Sequence, residues 1–189
     1  MRSLGTLAAV AGVAVLALAM QPTPAKAKAN DDEVKKAPSF SAKASDGKTY
    51  TLESLTKGDK ALVLYFISHT CPINMDAAPF FKQIGEAYKG KVNFVGVIDG
   101  GPETYKEWNK EFGLKYPVLY DPDNKIIQAY KAEASPWIIV VNPSGEIEKT
   151  YKGYSEKSLQ NLSGVMASHT KGEPAKIDLK GAPPYEAYG

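Results

Sequence analysis

The chain has 189 residues, with 23 Lys and Arg against 21 Asp and Glu, two histidines and one cysteine. Lys and Glu are interspersed without a basic block, so the sequence offers no phosphate-backbone site and no nucleic-acid partner is expected. One cysteine also excludes an internal disulfide, whatever that residue does.

Met1-Arg2 opens on a positive charge, Leu4 to Met20 is uncharged and apolar, and Ala27-Lys28-Ala29 forms a small-residue site directly before Asn30. That order reads as a secretory signal peptide over residues 1–29. The apolar run falls short of a bilayer span of about 20 residues, so membrane attachment is expected only if the segment stays uncleaved. The expected location is therefore exported, periplasmic or extracellular. Removing residues 1–29 leaves 20 basic and 21 acidic residues, so the positive balance of the whole chain belongs to the targeting segment. About 160 residues remain, enough for one domain with its own core. Disulfides are permitted in such a compartment, and a lone cysteine there reads as a reactive thiol or an intermolecular linker. The plainer alternative is a small buried hydrophobe.

Residues 30–37 are charged and poor in large apolar side chains, a linker. Residues 38–52 alternate loosely around Asp46-Gly47, a strong hairpin signal. Ala61 to Ile67 is a continuous apolar run suited to a strand buried on both faces. The period then changes: Ile73, Ala77, Phe80, Ile84 and Tyr88 share one helix face, with Pro72 in the first turn and Gly90 at the stop. Pro79 lies inside this helix and is predicted to kink it.

Val92 to Ile98 reads as a second buried strand. Gly100-Gly101-Pro102 opens a helix carrying Tyr105, Trp108 and Phe112, closed by Gly113. Tyr116 to Tyr120 forms a short strand, and a brief helix runs through Ile126, Ile127 and Tyr130. Trp137 to Val141 and Glu146 to Tyr151 flank a turn at Asn142-Pro143-Ser144-Gly145 and read as an antiparallel pair. Ser155 can cap a last helix with Leu159, Leu162 and Met166 inward. Residues 170–189, rich in Pro and Gly, read as an extended tail. Strands alternating with helices and ending in a hairpin predict an α/β fold, a mixed sheet with helices on both faces.

Cys71 stands where the first buried strand gives way to a helix, a place where helix N–H groups point outward and favour the thiolate. Ser68, Thr70 and Asn74 are candidate donors around it. His69 precedes it by two residues, on the same side of an extended approach, as a base or positive neighbour; its plainer alternative is a turn histidine. His169 reads as an ordinary helix-end residue. Cys71, Met75 and His69 also offer thiolate, thioether and imidazole, a soft set suited to copper, with Met75 as a core residue the plainer reading. A third reading is a non-enzymatic exported module.

This layout resembles the thioredoxin-like superfamily, and within it the redoxin or peroxiredoxin-like branch that includes alkyl hydroperoxide reductases and thiol-specific antioxidants. The resemblance covers nearly all of residues 38–169. It rests on Pro38-x-Phe40, the strand into Cys71-Pro72, Pro79, the stretch Tyr116-Pro117-Val118-Leu119-Tyr120-Asp121, and Ser135-Pro136 followed by Asn142-Pro143-Ser144-Gly145. It implies a thioredoxin-like fold, a central mixed sheet flanked by helices with an N-terminal β-hairpin extension, and a cis Pro136 facing a redox-active Cys71. Three departures stand out. Asn74 occupies the position of the second cysteine of thioredoxins, Leu64 stands where peroxiredoxins carry a proline, and Arg2 is the only arginine. The resemblance thus implies a single-cysteine thiol oxidoreductase that reduces a small hydroperoxide or exchanges with a protein disulfide. An external thiol or thioredoxin-like reductant would regenerate it. No cofactor is expected, with copper reserved for the alternative ligand set.

Overall fold

A computed structural model of the chain describes residues 36–189; the expected signal segment and most of the expected linker lie outside them. The run Leu62–Ile67 folds as the strand β3, buried at every position. It is the middle of a five-stranded sheet in the order β5-β4-β3-β6-β7, built with β4 (Asn93–Ile98), β5 (Val118–Tyr120), β6 (Trp137–Val141) and β7 (Ile147–Lys152). β3 runs parallel to β4, and β4 to β5. β6 is antiparallel to both β3 and β7. An uninterrupted apolar sequence is what a strand covered on both faces requires.

Side-chain alternation along β3 divides the core. Val63, Tyr65 and Ile67 face one cluster with Ala77, Phe81 and Ile84 of α2 (Pro72–Ala87), Trp108 of α3 (Pro102–Phe112), and Leu159, Leu162 and Met166 of α5 (Glu156–Thr170). Leu62, Leu64 and Phe66 face a second cluster with Leu55 of α1 (Leu52–Thr56) and Ile126 of α4 (Lys125–Ala129). A two-stranded hairpin of β1 (Ser41–Lys43) and β2 (Thr49–Thr51) stands beside the sheet. Its turn meets the β5 edge through an Ala44–Leu119 bridge and a Ser45 N–H donated to the Val118 carbonyl at 2.9 Å.

The hairpin, the strands and four of the five helices fall where the sequence puts them, within a residue or two. The fifth helix, α1, is unanticipated. Thr51 and Ser54 cap it reciprocally, each side chain accepting the other's backbone N–H, and this short polar signal is masked by the preceding alternation. α2 is one helix across Pro79, whose ring lies on the exposed face, where the carbonyl it leaves unbonded can reach water. The fold also begins before residue 38: Ala37 is buried and donates its N–H to the Gly145 carbonyl at 2.9 Å. Residues beyond α5 form no long element, yet Ala175, Ile177, Leu179 and Ala187 pack on the first cluster. No helix among the described residues is long and apolar enough to cross a membrane.

Candidate active site

The register of β3 against β6 assembles the site. Phe66 pairs with Trp137, so the residues leaving β3 lie beside the residues entering β6. Ser68 accordingly donates its N–H to the Ser135 hydroxyl at 3.2 Å, and the Ser135–Pro136 peptide bond is cis. Cys71 is the N-cap of α2, with extended φ/ψ and Pro72 at the first helical position. Its carbonyl accepts the N–H groups of Asn74 and Met75 at 3.1 and 3.2 Å. The half-buried thiol is left to point across the gap, where Sγ donates to the Ser135 carbonyl at 3.8 Å.

Asn74 fixes this arrangement from beneath. It is fully buried, its carbonyl oxygen accepts the Tyr65 hydroxyl, and its amide nitrogen donates to the Phe66 carbonyl at 3.2 Å and to the Ser135 hydroxyl. One side chain therefore ties β3, α2 and the loop before β6 together. Burial pushes the Tyr65 phenol well above its ordinary range, with the charges of Tyr116, Tyr154 and Cys71 adding to the effect. Tyr65 thus stays a donor to Asn74 across the working pH range.

The hydroxyl and imidazole candidates are distributed less evenly. Ser68 lines the cleft with Cys71, a cavity of about 270 Å³ that Asp99, Asn124, Ile127, Ser135 and Gly189 also border. Thr70 is exposed and does not border it. His69 turns to Asp99, which accepts both its backbone N–H at 2.9 Å and its Nδ1 at 2.7 Å. Met75 packs on the core and borders a groove with Pro79 and Tyr154, apart from the cleft that Cys71 lines. Among the described residues no cluster of three or more His, Cys, Asp or Glu side chains could hold a metal ion.

Three residues of the site went unmarked in sequence, Tyr65, Asp99 and Gly189, and Ser135 was marked only as the neighbour of Pro136. Asp99 had a signal, because it follows β4 as Ser68 follows β3 and the two strands pair residue for residue up to Ile67 and Ile98. Gly189 had none. It arrives beside Cys71 because the stretch after α5 folds back, its N–H donating to the Ser135 carbonyl at 2.9 Å and its backbone oxygen accepting the Ser135 N–H at 2.8 Å.

A strand-to-helix thiol facing a cis-proline loop has counterparts among known proteins. Residues 34–150 match the AhpC/TSA family. A Helicobacter pylori (strain J99) protein provisionally named peroxiredoxin bcp is 27% identical over 145 residues, covering 67% of this chain and 94% of its own. Thiol-disulfide oxidoreductase ResA of Bacillus subtilis (strain 168) is 26% identical over 125 residues, covering 65% and 69%. Among solved structures, MTB dsbF in its mixed oxidized and reduced forms superposes with a TM-score of 0.60 at 27% identity, covering 69% of this chain and 95% of its own. With more than half its length matched, the chain belongs to the AhpC/TSA family and is a peroxiredoxin-like protein on a thioredoxin-like fold.

Proposed function

We propose that this protein is a one-cysteine thiol oxidoreductase in which Cys71 exchanges with an external disulfide. The observation that carries the reading is the thiol itself, set at the start of α2, half-buried, and facing the Ser135 carbonyl with no second cysteine in the chain. Cys71 as thiolate attacks one sulfur of the disulfide; a new S–S bond forms, and the other sulfur leaves as a thiolate that takes up a proton. With Asn74 in place of a resolving thiol, an external thiolate must attack the partner's sulfur in the mixed disulfide. That step forms a second disulfide and returns Cys71 as thiolate. His69, two residues before Cys71 in sequence and oriented by Asp99, which borders the same cleft, is the proton carrier for these steps.

The family match favours a second reading, reduction of a hydroperoxide. There Cys71 attacks the distal oxygen, the O–O bond breaks, an alcohol leaves with a proton, and the sulfenic acid condenses with an external thiol, releasing water. The lack of any arginine beyond Arg2 argues for a slow reaction of this kind, since a lysine does not reproduce the guanidinium fork. Export belongs to the reading through the basic start, apolar run and Ala27-Lys28-Ala29 site of the N-terminal segment.

The test is mass spectrometry of the reduced protein after oxidised glutathione or after one equivalent of hydrogen peroxide with a sulfenic-acid trap. The expected result is one glutathionyl group on Cys71, removed by added thiol and absent in Cys71→Ser. Faster trapping after peroxide than after the disulfide would make the second reading the principal one. A Cys71 that alkylates with iodoacetamide but reacts with neither oxidant would overturn both.

A further inference from the structure

The segment lying against Cys71 belongs to the chain itself, and it is anchored at several points. Glu156 donates its N–H to the Pro183 carbonyl at 2.9 Å, and Ser155 donates its hydroxyl to Glu186 Oε1 at 2.8 Å. Ala187 and Tyr154 exchange backbone hydrogen bonds of 2.9 and 3.0 Å. Lys152 Nζ lies 4.6 Å from the centre of the Tyr188 ring. Gly153, at φ +82°, makes the approach possible, because a Cβ there would collide with the Ala187 carbonyl. Two residues further on, Gly189 and Ser135 exchange both of their backbone bonds, as an antiparallel pair does.

This pairing aims position 189 at the sulfur. A Cβ built on Gly189 would stand 2.9 Å from Cys71 Sγ. Across a disulfide with an S–S bond near 2.05 Å, the Cβ of one half lies about 3 Å from the sulfur of the other. Position 189 therefore has the place that a partner's cysteine takes when bonded to Cys71. Glycine supplies the backbone of that residue without its sulfur.

Resting on the one-thiol reading above, we propose that residues 182–189 are a built-in stand-in for an extended, cysteine-bearing protein segment. Such a segment reaches Cys71 by displacing them and pairing with Ser135 in their place. The backbone N–H and carbonyl of Ser135 then hold the partner's cysteine, Cys71 bonds to its sulfur, and the partner's other sulfur leaves as a thiolate that takes up a proton. The substrate class is accordingly an unfolded or flexible polypeptide stretch containing a disulfide. A small oxidant can enter the cleft that Cys71 lines without displacing anything.

Two variants of the full chain test this. Gly189 is not in the left-handed region, so Gly189→Cys can keep the segment's path. Diamide, which accepts two electrons and becomes a hydrazine, should link Cys71 to the thiol introduced at position 189 within one molecule, as peptide mapping would read. Ala187→Pro removes the N–H donated to Tyr154 and should loosen the segment. Labelling of Cys71 by a maleimide on a large polymer should then speed up about tenfold, with less than about a twofold change for iodoacetamide. Failure of that intramolecular link in Gly189→Cys while both thiols alkylate overturns the proposal. So does polymer labelling of Ala187→Pro at the wild-type rate. Neither readout requires turnover, so a wild-type chain inert to every disulfide counts against the one-thiol reading and not against the strap.

Discussion

At the scale of the residue, Asn74 decides whether the thiol and the loop before β6 keep their relative positions. Its amide, carried on α2, meets three groups in full burial, two from β3 and one from the loop before β6. Truncation to alanine would leave the Tyr65 hydroxyl without an acceptor, at about 1–3 kcal/mol for a buried orphan, and would take from the Ser135 hydroxyl one of its two donors, the Ser68 N–H remaining, at about 1 kcal/mol more. Asn74→Ala is therefore expected to destabilise the protein by about 2–4 kcal/mol, lowering the melting temperature by about 5–15 °C. Tyr65→Phe, which removes one bond only, should cost less than half as much. Thermal unfolding followed by circular dichroism checks both, and an Asn74→Ala variant melting with the wild type would deny the network any role. Spacing alone sets Asn74 one helical turn from Cys71, beside the thiol. It does not say which way the amide turns, because the groups that draw it inward come from β3 and from a serine 61 residues away. The site's cysteine was legible for the opposite reason, since a local change of pattern from strand into helix marks it; the cis-proline was legible only through the family resemblance.

At the scale of the element, the hairpin preceding β3 carries its own pH dependence. Gly47, at φ +81°, makes the turn, and Asp46 then accepts the Lys48 N–H at 3.1 Å and the Tyr50 hydroxyl at 2.7 Å. Partial burial, with the bond to Asp46 and its negative charge, pushes the Tyr50 phenol up to about 12. For Asp46, burial acts upward, but the bonds from Tyr50 and Lys48 and the Lys48 charge prevail and hold the carboxyl below its ordinary value. The signs follow from linkage. Tyr50 binds its proton more tightly in the folded chain, so its contribution is complete below about pH 10 and is lost as pH rises through about 12. The Asp46 contribution is present above the ordinary carboxylate range and is lost as pH falls through its lowered value. Asp46→Asn keeps an acceptor but removes the charge, and is expected to bring the Tyr50 ionisation down toward its ordinary value, read as tyrosinate absorbance against a Tyr50→Phe reference. An unchanged titration would mean that burial alone sets Tyr50. Hairpin and strands were readable because period and turn chemistry are local. α1 was not, since five residues with one buried leucine give no period to see.

At the scale of the whole molecule, the open question is whether the stretch after α5 moves independently of the sheet it lies against. Composition marks it as a tail, rich in Pro and Gly, and composition is silent about docking that depends on single backbone hydrogen bonds to residues far away in sequence. Those bonds are strong enough to order it: the Tyr88 hydroxyl accepts the Ala175 N–H at 2.9 Å, Gln83 accepts the Asp178 N–H at 3.1 Å, and Ala182 is buried. Yet its burial thins toward the end, where Tyr185 and Tyr188 are 84% and 51% exposed, whereas β3 is covered on both faces. Segments with few apolar contacts open at a lower free energy than the core to which they are docked. A strap that yields to a partner must open in this way, without unfolding β3 and β6. Native-state hydrogen exchange should therefore place the amides of Ala187, Gly189 and Ser135, which hold the segment to the site, in an opening unit separate from that of Val63 and Leu64. Their exchange should be at least about a hundredfold faster, a difference near 2.7 kcal/mol. Exchange of both groups at one common rate would mean that the segment leaves Cys71 only when the protein unfolds, and an element bound that tightly cannot give way to a substrate.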